Sequence, residues 1–215
     1  MYLSAEIRWF WRTEMPADVW SWFCSANSDQ CAAGGGGVRL DEYLIDLTQA
    51  QLGIKRRGGQ AGAEVKGLVT TLGPDLDANP LVGPIEIWAK WNSSSLRLDG
   101  NDTIAIEKRR WLRQFDTAHS TPREIELNIA ERAPDGPGQL ERGCTVEMTL
   151  LGLPTGAKWW TFGFESFGAL ETVEPDLRTV TRMWARRKPP LLPERSLLAS
   201  YPAWLRTCFP HMPEK

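Results

Sequence analysis

The sequence has few histidines and cysteines, and this scarcity argues against several kinds of site. It contains two histidines and four cysteines among 215 residues. No two cysteines form a Cys-x-x-Cys pair, and His119 and His211 stand far from the cysteines, so the pattern of a structural zinc site is missing. No Gly-x-Ser-x-Gly motif or Cys–His arrangement points to acyl transfer. We expect both histidines to be exposed side chains.

Long apolar stretches and a large net charge are also missing. No run approaches ~18 apolar residues, and the first residues lack a basic stretch followed by a continuous apolar one. With 25 basic and 27 acidic side chains the formal net charge is −2, which does not favour nucleic-acid binding. Any anion site must come from locally sorted charge. We expect a cytoplasmic protein with reduced thiols and no membrane partner; the oligomeric state stays open.

Short segments with period-two patterning follow one another along most of the chain. Turn-forming residues such as Gly73-Pro74 and Pro154-Thr155-Gly156 separate them. The segments are VRLDEYLID, LGIKRRGG, GAEVKGLV, PIEIWAKW, TIAIEKRRWLRQF, EIELNIAER, GCTVEMTLLGL and WWTFGFESFG. Repeated short strands separated by turn-forming residues predict an antiparallel meander that closes into a barrel or a sandwich.

Helical patterning is confined to three places. PADVWSWFCS follows the first strand, EPDLRTVTRMWARR comes after Gly168 and spaces Leu177, Val180 and Trp184 as one helix face, and LLPERSLLASYPAWLRTCF comes last. We therefore predict one barrel-like domain over residues 1–185 and a C-terminal helical extension over residues 186–215, packed on the same domain.

Strand alternation sorts charges of both signs onto the same faces. In the first strand, SAEIRWFW, one face carries Glu6, Arg8 and Phe10, and the other carries Ile7, Trp9 and Trp11. Later strands repeat the pattern, and their charged faces hold Lys55 and Arg57, Glu64 and Lys66, Glu86 with Trp88 and Lys90, and Glu147 between Thr145 and Thr149. The opposite faces of these strands are mainly apolar.

Two folds fit this sorting. In a sandwich the charged faces point to water, whereas in a polar-lined barrel they point inward and helices cover the apolar exterior. Because opposite charges recur on the same face of successive strands, we favour the barrel. The predicted fold is thus α+β, a closed antiparallel eight-stranded β-barrel with a charged tunnel and flanking helices, mainly C-terminal. Such a tunnel suits a polyanion together with its cations.

The order of residues resembles that of CYTH-domain proteins, the triphosphate tunnel metalloenzymes. The resemblance rests on RLDEYLIDLTQAQLGIKRRGGQAGAEVKGL, IEKRRWLRQF, CTVEMTLL and FGFESFG, and is most specific from Leu40 to Leu68. It covers roughly residues 1–185. It implies a closed eight-stranded barrel whose basic residues hold a triphosphate-bearing substrate and whose carboxylates bind Mg²⁺ or Mn²⁺, for hydrolysis or cyclisation.

The resemblance also assigns roles to positions of this chain, with departures. Glu64 stands where the family has a threonine, Gly53 where it often has an arginine, and Arg109 and Arg113 leave the register of the later basic pair uncertain. The expected phosphate- or anion-binding residues, which include Arg8 and Lys90 from the charged faces, are Arg8, Lys55, Arg57, Lys66, Lys90, Lys108 and Arg110. The expected metal ligands are Glu6, Glu147 and Glu165.

The N-terminal signature Glu-x-Glu-x-Lys of the family falls on Glu6, Arg8 and Phe10. A guanidinium in place of a carboxylate puts a positive charge where a dication would bind, so ordinary metal binding should be weakened. The favoured function is therefore a CYTH-like tunnel protein that binds a phosphorylated or polyanionic ligand, with lost or altered catalysis. The alternative is a divergent metal-dependent triphosphatase, and a third reading is a structural protein that uses its tryptophan-rich surface.

Overall fold

A closed antiparallel β-barrel forms the body of the protein. The computed structural model describes residues 1–25, 37–45, 49–58, 62–98, 103–127, 140–194 and 196–210. The strands of this described part are β1 (Tyr2–Trp11), β2 (Arg39–Leu44), β3 (Leu52–Arg57), β4 (Ala63–Ala78), β5 (Leu81–Ser93), β6 (Thr103–Asp116), β7 (Arg123–Ile125), β8 (Gly143–Gly152), β9 (Lys158–Gly168) and β10 (Leu197–Leu198). The helices are α1 (Ala17–Cys24), α2 (Leu170–Ala185) and α3 (Tyr201–Cys208).

Eight of the strands close the barrel. Hydrogen-bonded neighbours run in the order β1-β5-β4-β3-β2-β6-β8-β9, and β9 pairs again with β1. The β1–β9 seam extends over nine residue pairs, from Leu3 opposite Gly168 to Trp11 opposite Trp160. β7 pairs with β6, and β10 pairs with β1. The predicted α+β fold with a closed eight-stranded antiparallel barrel is confirmed, and the sandwich is excluded.

The outer face of β1 packs under two helices. Ile7, Trp9 and Trp11 are at most 6% exposed and lie in the larger apolar core. The helix residues of that core are Val19, Trp22 and Phe23 of α1 and Val173, Leu177, Val180 and Trp184 of α2. The helical spacing of Leu177, Val180 and Trp184 thus predicted a buried face correctly, because one stripe of an amphipathic helix must find an apolar partner.

Two arginines fasten the end of α1 to the barrel. Arg113 on the outer face of β6 donates two hydrogen bonds of 2.6 Å to Glu124 and one of 2.7 Å to the carbonyl of Phe23. The Arg113 guanidinium lies 4.8 Å from the Trp184 ring centre, and that of Arg187 lies 4.3 Å from it. A carbonyl at the C-terminus of a helix lacks a partner within the helix, so the hydrogen bond from Arg113 to the Phe23 carbonyl also caps α1.

Helix α3 fills one end of the barrel. Its Trp204 stacks on Phe10 with ring centres 5.0 Å apart and an interplanar angle of 8°, and both side chains are fully buried. The rest of this second apolar core comprises Tyr43, Ile104, Ile106, Leu151, Leu153 and Leu205. The expectation that both late helices cover the exterior is wrong for α3. The inward faces of the strands are apolar at this end, and α3 supplies their apolar partner.

Residues 186–215 are more than a helical extension. Leu197 and Leu198 form β10 and pair with Phe10 and Trp9 of β1. The backbone N–H of Ala199 also donates to the carbonyl of Arg8 at 3.0 Å. The segment is therefore joined to the barrel wall by main-chain hydrogen bonds before α3 begins. The proposed division of the chain at residue 185 stays a prediction.

The predicted turn at Gly73-Pro74 is wrong. β4 continues from Ala63 to Ala78, and its pairing with β5 shifts register between Leu72 and Leu76. The chain reverses later, at the cis peptide bond Asn79-Pro80. A local irregularity accommodates a proline, which has no N–H to donate to the ladder, without ending the strand.

The cysteines differ from the expectation of reduced thiols. Cys24 is disulfide-bonded, whereas Cys144 and Cys208 are free. The sequence showed no metal-type or redox-type spacing, and it offered no signal for this bond. Within the described residues, no helix is long and apolar enough to cross a membrane. The cytoplasmic location stays a prediction.

We predict that Trp204→Ala lowers the free energy of unfolding by about 3–5 kcal/mol, because it empties a buried site against Phe10. Urea denaturation followed by circular dichroism measures this change. Arg206→Ala on the exposed side of the same helix is the matched control and should change the free energy by less than about 0.5 kcal/mol. Equal stabilities of the two variants would show that α3 does not contribute to the folded barrel.

Candidate functional site: a charged cavity in the barrel

The charged strand faces line one cavity inside the barrel, with a volume of about 220 Å³. All ten candidate site residues lie in its wall. They are Glu6, Arg8, Lys55, Arg57, Lys66, Lys90, Lys108, Arg110, Glu147 and Glu165. We call this space the charged cavity. Alternation along the strands thus predicted the position of these side chains correctly, whereas their roles in binding stay predictions.

Exposure of the charged groups changes along the cavity. The side chains of Arg57 and Glu165 are 36% and 32% exposed, whereas those of Arg8 and Lys108 are 6% and 3% exposed. The deep groups lie beside Tyr201, the first residue of α3. The cavity therefore leads from charges in contact with solvent to desolvated charges near the end that α3 fills.

A buried ion-pair cluster surrounds Glu147. Its two carboxylate oxygens lie 2.6 Å from Arg8 and 3.3 Å from Arg110. Burial acts to raise the pKa of Glu147, but Arg8, Arg110 and Lys108 outweigh burial and hold that pKa well below its usual range. The pKa of Arg8 is raised in turn, since Glu147 outweighs the effect of burial. Both groups are therefore charged at neutral pH.

A second cluster surrounds Glu6. Lys66 lies 3.1 Å from its carboxylate, and Lys90 contacts both Glu6 and Glu165, the latter at 2.6 Å. Burial acts to raise the pKa of Glu6, but Lys66 and Lys90 outweigh burial and lower it. Glu86 and Glu165 lie opposite Glu6 on the strands to either side. Three carboxylates thus stand in a row, with the Lys90 ammonium between two of them.

The opposite wall, built from β2, β3 and β6, holds cations in excess. Buried Asp41 lies 3.0 Å from Arg39 and 3.6 Å from both Lys55 and Lys108. Lys55 also lies 3.0 Å from Glu64. Burial, assisted by neighbouring cations, lowers the pKa of Lys55 and lowers that of Lys108 further. These carboxylates therefore do not fully compensate the cations of this wall.

Aromatic rings contact two of the cavity lysines. Lys108 donates a 2.5 Å hydrogen bond to the Tyr43 hydroxyl, and its Nζ lies 3.8 Å from the centre of the Tyr201 ring. The Nζ of Lys66 lies 4.2 Å from the Trp88 ring centre. Ring faces attract cations without neutralising them, so the nearest counter-charges of these lysines are Glu6, 3.1 Å from Lys66, and Asp41, 3.6 Å from Lys108.

Counted over its whole wall, the charged cavity is basic. Nine arginine and lysine side chains line it, against four glutamates, and buried Asp41 contacts three of these cations, which leaves an excess of four positive charges. The complete chain carries a formal net charge of −2. Folding therefore concentrates positive charge inside a protein that is acidic overall, and the low-dielectric walls strengthen that field.

The carboxylates do not fit a divalent metal ion in this arrangement. Within the residues that the structure describes, no three or more His, Cys, Asp or Glu side chains are grouped so that they could hold one. Glu6, Glu147 and Glu165 each contact a lysine or an arginine. Mg²⁺ and Mn²⁺ need several oxygen ligands at once, and these oxygens already neutralise side-chain cations. The metal site thus stays a prediction without geometric support.

Some residues that line the cavity were not predicted from the sequence. Arg39 and Tyr43 of β2 line the cavity, and their alternation with Asp41 could have placed them there. Tyr201 and Arg206 of α3 also line it. No sequence signal connects α3 with strands that lie 100 or more positions earlier in the chain.

Neighbouring basic residues of β6 and neighbouring tryptophans of β9 point to opposite faces of their strands. Arg109 is exposed on the outer face of β6, whereas its neighbours Lys108 and Arg110 point inward. Trp160 stacks on Trp111 outside the barrel with ring centres 5.8 Å apart, and Trp159 packs on Trp204. These tryptophans serve packing. The His119 side chain is 64% exposed, as expected, and His211 lies outside the described residues.

Comparison of the chain with protein-family models finds no match, and a search of curated proteins finds none. The resemblance to CYTH-domain proteins therefore stays a prediction. A closed eight-stranded barrel agrees with it but does not establish membership, since unrelated functions share folds. The function must be argued from the charged cavity.

We predict that Glu147→Gln lowers the free energy of unfolding near neutral pH by about 3–5 kcal/mol, because it leaves buried Arg8 without a counter-charge. The pKa of Glu147 is lowered in the folded protein, so its stabilisation is complete above its ordinary pKa of 4.5 and is lost as the pH falls through the folded pKa. The variant should therefore lose less stability on acidification below pH 4.5 than the wild type does.

Urea denaturation across this pH range measures both effects. Glu107→Gln, at an exposed position of β6, is the matched control and should follow the wild type. Identical pH profiles for Glu147→Gln and the wild type would contradict the ion-pair assignment.

Proposed function

We propose that the protein binds a small polyanion, of the phosphate or oligophosphate class, in the charged cavity. The observation that carries the proposal is the excess of nine basic side chains over four glutamates and buried Asp41 in one enclosed space. Burying cations without enough counter-charge costs stability, and a protein retains such an arrangement when a bound anion compensates it. The proposal describes a binding protein with lost or altered catalysis.

The type and spacing of the cations favour phosphate oxygens. Arg57, Arg110 and Arg8 offer planar donor forks at increasing depth, and Lys55 and Lys108 stand beside them as point charges. One arginine guanidinium can donate hydrogen bonds to two phosphate oxygens at once. The lysine ammonium adds positive charge but has no fixed hydrogen-bonding direction. A linear anion with several charges would meet cations along its whole length, whereas a single carboxylate would satisfy a small part of them.

Binding of this ligand requires no metal. The ammonium of Lys90 lies between Glu6 and Glu165, and Arg8 neutralises Glu147. The cavity's own cations thus already reduce the repulsion between its carboxylates and an incoming anion. The alternative, a divergent triphosphatase that uses Mg²⁺ or Mn²⁺, would require these carboxylates to exchange their side-chain partners for the metal.

We predict that inorganic triphosphate raises the melting temperature in the presence of a chelator. A ligand that binds only the native state stabilises that state, and at a hundredfold excess over Kd the free energy of unfolding rises by about 2.7 kcal/mol. Arg57→Gln should weaken binding about tenfold, since it removes a charge-assisted hydrogen bond. The neighbouring Arg56 points outward to Glu42, so Arg56→Gln is the matched control and should bind as the wild type does.

Thermal shift and isothermal titration calorimetry measure these effects, and phosphate release with and without Mn²⁺ is followed on the same samples. No shift with triphosphate, or equal losses in the Arg56 and Arg57 variants, would overturn the binding proposal. Metal-dependent phosphate release that disappears in Glu147→Ala would establish the triphosphatase alternative instead.

We also predict that triphosphate binding takes up protons. The pKa values of Lys55, Lys66 and Lys108 lie below 10.5 because of burial, and a bound anion would raise them. The affinity for triphosphate should therefore be highest below the pKa values that these lysines have in the free protein. It should fall as the pH rises through the higher pKa values of the same lysines in the complex.

Calorimetry in buffers of different ionisation enthalpy, between about pH 7 and pH 10, counts the protons. Lys108→Met should reduce the uptake, because the pKa of Lys108 is lowered most clearly among the three. Proton release on binding would contradict this coupling.

A further inference from the structure

The chain contains three tyrosines, and all three line the charged cavity. They are Tyr2, Tyr43 and Tyr201, and their hydroxyl groups stand in different surroundings. Tyr2 is 49% exposed, so water can reach it. The hydroxyl of Tyr43 accepts the 2.5 Å hydrogen bond of Lys108. The hydroxyl of Tyr201 is buried and has no hydrogen-bond partner among the described residues.

Cations and a carboxylate surround Tyr201. Lys108 Nζ lies 3.8 Å from its ring centre, and the Arg8 guanidinium carbon lies 5.1 Å from it. Burial raises the pKa of the Tyr201 hydroxyl, and nearby Glu147 raises it further, so the hydroxyl is a protonated donor at neutral pH. It therefore lies among the groups that would bind the most deeply placed part of an anion.

The packing of α3 holds Tyr201 in this place. Its ring stacks on Tyr43, with centres 6.0 Å apart, and meets Phe10 edge-on at 5.3 Å. Trp204, one turn later in α3, is itself stacked on Phe10. A side chain held on several sides cannot easily turn its hydroxyl to bulk water. Because a buried donor without a partner costs free energy, the position is disfavoured in the free protein.

We propose that Tyr201 is a ligand-binding residue, supplied by the C-terminal helix, whose hydroxyl donates a hydrogen bond to the bound anion. This inference rests on the proposed anion-binding function and adds to it. It makes α3 part of the binding site, whereas the sequence had predicted a helical extension packed on the barrel domain. It also gives a partner to a buried hydroxyl that has none among the described residues.

Tyr43 and Tyr201 provide a matched pair of Tyr→Phe variants, because one hydroxyl has a hydrogen-bond partner and the other has none among the described residues. In Tyr201→Phe we expect an unchanged or higher melting temperature without ligand, since an unsatisfied donor is removed, and about tenfold weaker binding of inorganic triphosphate. Arg56→Gln, whose side chain points outward to Glu42, is the control outside the cavity and should bind triphosphate as the wild type does. Tyr43→Phe should lower the melting temperature without ligand, since Lys108 loses its partner.

Thermal unfolding of the full chain without ligand and calorimetric titration with triphosphate give the two readouts. Weaker binding by Tyr201→Phe without a loss of stability supports the inference, since a purely structural hydroxyl would not produce this combination. Wild-type binding by Tyr201→Phe would overturn the inference and leave the anion-binding proposal intact. Absence of triphosphate binding by the wild-type protein would overturn both.

Discussion

Nine residue pairs join β1 to β9, and the charged cavity depends on this seam. In an open sheet the face of Glu6 and Arg8 would be solvated, and its charges would be screened by water and salt. Closure turns the same face inward, desolvates it and brings Arg8 within 2.6 Å of Glu147 on β8. The outer face of β1 becomes a continuous apolar surface, which α1 and α2 cover. One set of main-chain hydrogen bonds thus separates the core from the polar interior.

Charge inside the barrel is compensated unevenly. The wall around Glu6 and Glu165 pairs its lysines with carboxylates, whereas the wall around Asp41 holds more cations than its carboxylates can neutralise. This asymmetry supports the proposal that an anion binds near β2, β3 and β6. It also accounts for the opposite pKa directions of two lysines in one cavity: burial lowers the pKa of Lys108, while Glu165 and Glu6 outweigh burial and raise that of Lys90. Tyr201, which belongs to α3 and not to a strand, also lines the cavity beside these poorly compensated cations.

Much of the cavity wall could be predicted because strand alternation is a local property. Once Lys55 and Arg57 are placed on one face of a strand, closure of the barrel decides their direction together. Turn positions were less predictable, as Gly73-Pro74 shows, because a bulge and a turn use the same residue types. The role of α3 was not predictable, since its amphipathic pattern would equally suit an outer cover or an inner plug.

By itself, the sequence determined which residues share a face: Glu6 with Arg8, Lys55 with Arg57, Lys66 with Glu64. It did so because alternation along a strand follows from backbone geometry alone. Only the tertiary structure decided which face points inward, which carboxylate neutralises which cation, and that Tyr201 reaches the cavity from the end of the chain. Those properties depend on contacts between residues far apart in sequence, such as Arg8 and Glu147, and on the water that closure of the barrel excludes.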